Sequence, residues 1–517
     1  MNILPGITIP DTALPDTAAL LVSGGDARIT VDPSSGISMY GCRPCPDPDL
    51  VALGSCTASL ISEAGFAAAS ALRQHCVEQL RVNSPGVVYA EQAARLRSEL
   101  LACCGLAPAD GVEAVLAASG TDLFLLAAQW LKPQRTVMVA AGETGSGVPA
   151  ALHGRHFNGR AACAGEVPIG ALVGDWEGDL VALAVRAQDG SLRAAASVDA
   201  DCAASVGAAA AAGQRVLLVL TDVSKTGLIV PSIEVALAMQ RRFPAQVEVL
   251  VDACQFRLSA PTLRAYLAQD WMVALTGSKF IGGPTFCGAL LVPRACAARY
   301  RDAPLNAGVN AYSNANDWPP AWRSGQCLPA TGNFGLLLRW AAALSGLRLF
   351  VSVPEARIAA FLQRFADTVN ARLALDDCLE ALPVPPLSRR ALGIAGAWDT
   401  RQSIFPFLIH VPDEAGGRRP LKREETERLQ KALLNPAAGA RRFQLGQAVA
   451  CGVRDGVPVS ALRLCVSARM VVTACTDEGA EEGAGKGCER ALADALAALD
   501  EVARLVKKIG QAERLAA

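Results

Sequence analysis

An excess charge of either sign is missing from this sequence: 48 Lys and Arg stand against 49 Asp and Glu, a net charge of −1 over 517 residues. Without a basic surplus there is no electrostatic footprint for nucleic acid or for an anionic membrane. The first ten residues, MNILPGITIP, lack the basic and long apolar regions of a secretory leader, so the expected location is the cytoplasm. No uninterrupted membrane span is expected either: the apolar stretch from Val206 to Leu220 is broken by Gly213, Gln214 and Arg215, whereas a crossing needs about 20 residues. Cys42-Arg-Pro-Cys45 has no second pair near it, and a structural zinc takes about four ligands, so no metal is expected. The 17 cysteines are scattered along the chain and read as reduced, mostly packed thiols. Internal repeats are lacking as well.

What is present is a globular composition, 51% hydrophobic and 19% charged, in a chain too long for one ordinary domain. The entry, residues 1–85, is punctuated by Pro and Gly; it has strand-like pieces such as Ala27–Asp32 and a helical stretch from Cys56 to Leu80. An amphipathic helix follows from Tyr89, closed by Gly105. Short apolar runs then alternate with helical segments: 111–118, 136–141, 216–221, 247–251, 272–276 and 288–292. That alternation predicts an α/β fold, a mostly parallel sheet covered by helices on both faces. We therefore expect an N-terminal segment (1–85) contributing to a small domain and the substrate pocket, a large domain (86–340), and a smaller C-terminal α/β domain (341–517).

Unusual polar residues stand at the strand ends, where open α/β sheets bind ligands. Ser119-Gly120-Thr121 falls between a strand and a helix. It reads either as an N-cap or as a phosphate cradle at a helix N-terminus. Asp252 ends the run VEVLVDA; it caps a turn or holds a pyridine nitrogen protonated. Lys279, in Thr276-Gly277-Ser278-Lys279, sits between small residues and an apolar strand, a setting that turns an amine into a nucleophile toward carbonyls. Lys225, in Ser224-Lys225-Thr226-Gly227, is its rival.

The ordered set formed by Ser-Gly-Thr at 119–121, Ser224, Asp-Ala-x-Gln at 252–255 and Ser-Lys at 278–279 resembles fold type I pyridoxal-phosphate enzymes. Within them it is most similar to the class V aminotransferases and cysteine desulfurases, over roughly residues 85–345. The resemblance implies a mostly parallel sheet of the seven-stranded type and pyridoxal 5'-phosphate as cofactor, carried by Lys279 as a Schiff base. In that family the lysine follows the aspartate, which favours Lys279 over Lys225. The same resemblance gives Asp252 to the pyridine nitrogen, and Ser224 and Gln255 to the ring's 3-oxygen. Ser119, Gly120 and Thr121 go to the phosphate, supported by Thr276 and Ser278. Thr331, in Ala-Thr-Gly-Asn, matches a threonine that reaches the phosphate of a neighbouring subunit, which implies a homodimer. Arg463 matches the arginine that grips a substrate carboxylate, with Arg469 as its alternative.

Two departures stand out. The loop 142–147, Gly-Glu-Thr-Gly-Ser-Gly, has no ring where the family stacks one on the cofactor, although His153 and His156 lie just beyond. The long N-terminal segment brings Gly54-Ser55-Cys56-Thr57 as a further candidate pocket lining. The reaction expected is transamination of a small amino acid, which needs nothing beyond the lysine. The alternatives are a cysteine desulfurase, with Cys451 twelve residues before Arg463 as nucleophile, another C–S or C–C lyase, or a catalytically silent relative.

Overall fold

The computed structural model describes residues 14–54, 59–412, 417–436, 440–476 and 485–516. In chain order its principal strands are β1 (Leu50–Leu53), β2 (Glu113–Ala117), β3 (Arg135–Val139), β4 (Asp179–Leu183), β5 (Val216–Asp222), β6 (Val247–Ala253), β7 (Met272–Thr276), β8 (Gly288–Val292), β9 (Ile404–Pro412), β10 (Arg442–Arg454) and β11 (Val457–Cys465). The helices that matter here are α1 (Glu63–Gln79), α2 (Pro85–Cys103), α3 (Gly120–Leu131), α4 (Phe334–Val351), α5 (Glu355–Ala374) and α6 (Lys486–Ala516).

Continuous apolar runs make strands buried on both faces, and β5, β7 and β8 are buried along their whole length. The main path of the large sheet has the order β2-β8-β7-β6-β5-β3-β4. Five neighbours, β7 through β4, are parallel, and only β8 runs antiparallel between β7 and β2. With the short strand Ile229–Val230 added antiparallel to β5 the sheet has eight strands; its main path is the mostly parallel α/β sheet that the apolar runs predict, of the seven-stranded type that the resemblance implies. Its parallel strands all end on one edge. The register places Asp252 of β6 beside Thr221 of β5 and Ala274 of β7.

A second sheet carries the order β1-β10-β11-β9. Its first strand comes from the N-terminal segment and lies parallel to β10, Leu50 opposite Arg442 and Leu53 opposite Leu445. Helices α5 and α6 pack beside this sheet.

Helix starts follow side-chain capping. Ser119, Ser62 and Asn333 each accept a backbone N–H from the first turn of α3, α1 and α4. Three expectations change. The helix expected from Cys56 begins at Glu63, because Ser62 caps it there; Cys56 lies outside the described residues. Ala27–Ile29 is a 3-10 turn and not a strand, since the Asp26 carboxylate accepts the Arg28 N–H. Helix α4 runs straight through the boundary expected at 340/341. It is long and apolar enough to cross a membrane, but 72% of it is buried, packed on α1 and α2.

Candidate active site

Asp252 leaves β6 with its carboxylate almost covered. Its Oδ1 accepts the Cys254 N–H at 3.2 Å, and its Oδ2 accepts the Thr144 hydroxyl at 3.1 Å. Lys279 stands on the turn after β7, and two close approaches pin that turn. A Cβ on Gly277 would fall 2.6 Å from the Ala343 Cβ and 2.8 Å from the Cys287 sulfur, so only glycine passes between α4 and β8. From the N-terminal segment, the Ser59 hydroxyl donates to the Ser278 carbonyl.

The neighbouring strand ends turn sharply. Val223, just after β5, has φ +61°, and Phe256, just after Gln255, has φ +55°. For a β-branched residue this is a strained conformation, worth roughly 1–3 kcal/mol and characteristic of functional sites. Here it turns Ser224 and Lys225 back over the sheet edge.

Lys279, Asp252, Gln255, Ser224 and Arg463 thereby line one cleft of about 570 Å³, mouth included. Glu143, Thr144, Gly145, Lys225 and Gln447 complete its polar wall. Arg463 is buried on β11. Its guanidinium donates to the Gln447 carbonyl through Nη2 at 3.0 Å and to the Lys225 carbonyl through Nη1 at 3.2 Å. The Ser224 hydroxyl donates to Glu143 Oε2 at 2.7 Å and accepts the Leu228 N–H at 3.1 Å.

The residues assigned to the phosphate sit beside this cleft. Gly120 begins α3 against the strand ends, and a Cβ there would lie 3.0 Å from the Cys254 sulfur and 3.1 Å from Thr276 Cγ2. The Ser119 hydroxyl is bonded to the Asp122 carboxyl, and the Thr121 hydroxyl accepts from Arg28 Nη2 at 3.4 Å. Burial, reinforced by the charge of Asp26, pushes the Asp122 carboxyl up to about 7. Thr276 donates its hydroxyl to the Cys254 carbonyl at 2.6 Å, while Ser278 is buried in the lysine turn. Thr331 lies apart from the cleft lining, in the loop before α4, where its carbonyl accepts Asn316 Nδ2.

Several other candidates point elsewhere. His153 bonds the Gly178 carbonyl through Nδ1, and His156 Nδ1 bonds the Tyr312 hydroxyl. Neither ring lines the cleft. Arg469 is exposed on the helix Ala468–Thr476. The thiol of Cys451 donates to the Val449 carbonyl within a small apolar cluster that includes Leu382, Leu408 and Val459, and burial raises its pKa. Gly54 meets β10, while Ser55, Cys56 and Thr57 lie outside the described residues. Sequence reading missed Thr144, Glu143 and Gln447. The signal for the first two was available: both occupy the loop from which the expected ring is absent.

No family model and no curated protein matches this sequence. Solved structures do match its fold. A NifS-like protein from Rickettsia africae superposes with a TM-score of 0.51 at 10% identity, covering 88% of this chain and 99% of that one. Oryza sativa TDC with PLP gives 0.51 at 13% identity, covering 92% and 86%. Rhodiola rosea 4-hydroxyphenylacetaldehyde synthase gives 0.50 at 12% identity, covering 91% and 85%. The fold is that of the fold type I pyridoxal-phosphate enzymes. On this fold, the edge that bears Asp252 and Lys279 is the carboxyl end of the parallel strands, where α/β sheets bind their ligands.

Proposed function

We propose that this chain is a pyridoxal-phosphate-dependent enzyme that acts on a small α-amino acid, with transamination as its reaction. One observation carries the reading: an amine, Lys279, and a carboxylate, Asp252, enter one cleft from adjacent parallel strands. The cleft's donor set fits the cofactor. Asp252 offers a carboxylate to a pyridinium nitrogen, and the Thr144 hydroxyl donates to its Oδ2. Gly120 lets the first turn of α3 approach the strand ends as closely as a missing Cβ allows, which suits an anion at a helix N-terminus.

When bound, the cofactor supplies an electron sink for a bond at the substrate Cα. The protein's own groups do the rest. Lys279 would hold the cofactor's carbonyl carbon and would move a proton at the substrate Cα. Asp252 keeps the ring nitrogen protonated. Gln255 and Ser224 would meet the ring's oxygen, and Gly120 and Thr121, with Ser119, Thr276 and Ser278 around them, would hold its phosphate. Arg463 presents its remaining N–H groups to the substrate carboxylate, and its bonds to two backbone carbonyls fix the plane of the guanidinium fork. Thr331, away from its own cleft, fits a role toward a second copy, so the working unit proposed is a homodimer.

No cysteine is found among the described residues that line the cleft, which favours transamination over a desulfuration that uses Cys451. The test is spectroscopic. Protein given pyridoxal phosphate should show an absorption band in the visible to near-ultraviolet range, and Lys279→Ala should lose it. Single amino acids should then yield pyridoxamine phosphate and the matching keto acid. A wild type without the band overturns the cofactor assignment. Sulfide released from cysteine and abolished in Cys451→Ser overturns transamination.

A further inference from the structure

We infer that Glu143 is a positioning residue that sets both ends of the cleft at once, holding Thr144 on Asp252 and the Lys225 carbonyl on Arg463. This rests on the cofactor reading above and adds a residue to it.

The side chain of Glu143 is 4% exposed, so its charge needs compensation. It finds four donors. Oε2 accepts the Ser224 hydroxyl at 2.7 Å, the Thr226 hydroxyl at 2.7 Å and the Thr226 N–H at 3.2 Å, while Oε1 pairs with Arg186 Nε at 3.3 Å. All four contacts tie the carboxylate to the 224–227 loop and to Arg186, so its work is to hold the chain. The backbone carbonyl of the same residue accepts the Lys225 N–H at 2.9 Å. The 142–147 loop is thus bolted to the 224–227 loop through both the main chain and the side chain of one residue.

Each bolt has a consequence one residue away. Thr144, next in sequence, places its hydroxyl 3.1 Å from Asp252 Oδ2. Lys225, tied by its N–H, presents its carbonyl 3.2 Å from Arg463 Nη1. Arg186 extends the connection to the second sheet. Its Nη1 donates to the Gly190 carbonyl, and Gly190 is so close to β10 that a Cβ would overlap the Cys451 carbonyl oxygen. From β10 the Gln447 carbonyl holds Arg463 in turn. One buried residue therefore ties the carboxylate that would meet the ring nitrogen to the guanidinium that would grip the substrate.

The experiment compares wild type with Glu143→Gln, which keeps the volume but removes the charge. Cofactor-free protein is titrated with pyridoxal phosphate, the pH dependence and circular dichroism of the visible band are recorded, and KM and kcat are separated for the best amino acid. The expected result is cofactor binding weaker by about tenfold, as loss of charged hydrogen bonds implies. An altered band and a raised KM should accompany it, with Glu143→Asp falling between the two. If Glu143→Gln changes only the melting temperature and leaves affinity, band and KM at wild-type values, the residue is merely structural and the inference fails. Should Glu143→Gln not fold, Thr226→Val removes one hydroxyl donor to Glu143 outside the cleft lining, and smaller shifts in the same directions are required. A wild type that binds no cofactor sinks the enzyme reading and this inference together, an outcome distinct from an unaffected variant.

Discussion

Arg389 clamps Asp222 with two hydrogen bonds, Nε to Oδ2 at 2.9 Å and Nη2 to Oδ1 at 2.5 Å, and both side chains are fully buried. Asp222 is the last residue of β5, two before Ser224, so a residue 167 positions away fixes the strand end that feeds the cleft. The Tyr266 hydroxyl adds a bond to Asp222 Oδ2 at 2.6 Å, and Arg389 Nη1 reaches the Asp399 carbonyl at 2.7 Å.

Removing one member of a buried ion pair strands the other. Arg389→Ala should therefore cost about 3–5 kcal/mol, read as a lower urea midpoint. Arg389→Met together with Asp222→Asn should recover part of the loss, because only one of the two carboxylates that Arg389 meets, Asp399, is then left stranded.

Arg463→Lys keeps the charge but loses the planar fork. With two backbone carbonyls already drawing on the guanidinium, a lysine has fewer donors left for substrate. KM for an α-amino acid should rise by roughly tenfold to a hundredfold, the weight of a charged hydrogen bond. Cofactor affinity should change little. Steady-state kinetics beside a cofactor titration checks both.

The Asp122 carboxyl is raised by burial, and further by Asp26, from 3.8 to about 7. The folded protein then binds more protons at this site than the unfolded chain between those two values. The sign follows: this group favours folding at low pH, and its contribution falls as pH rises from about 4 to 7. Asp122→Asn removes that dependence. Relative to wild type it should gain stability as pH climbs, on the order of a few kcal/mol by pH 8, and much less at pH 5. Urea unfolding at the two pH values decides it; a pH-independent difference would refute the assignment.

Much of this protein is legible in its sequence because the signals are local. Continuous apolar runs between helical segments gave β5 to β8, and Ser119 as a cap placed the start of α3. Where a local signal competed with tertiary contact it misled. Ala27–Asp32 alternates like a strand, yet the Asp26 carboxylate bends it into a 3-10 turn. The loop 142–147 offered no ring, and only the fold shows that its Thr144 hydroxyl meets Asp252.

By itself, the sequence determined the α/β sheet, its strand ends, and the order of Ser-Gly-Thr, Asp252 and Lys279 along them. Hydrophobic periodicity and a few backbone-permissive glycines are properties of neighbouring residues, so they can be read in one dimension. The tertiary structure alone decided what surrounds that pair. Thr144 meets Asp252 across 108 positions, Arg463 meets the Lys225 carbonyl across 238, and β1 pairs with β10 from the opposite end of the chain. Those contacts depend on how sheets and loops close in space, and hydrogen bonds at such separations leave no local pattern to read.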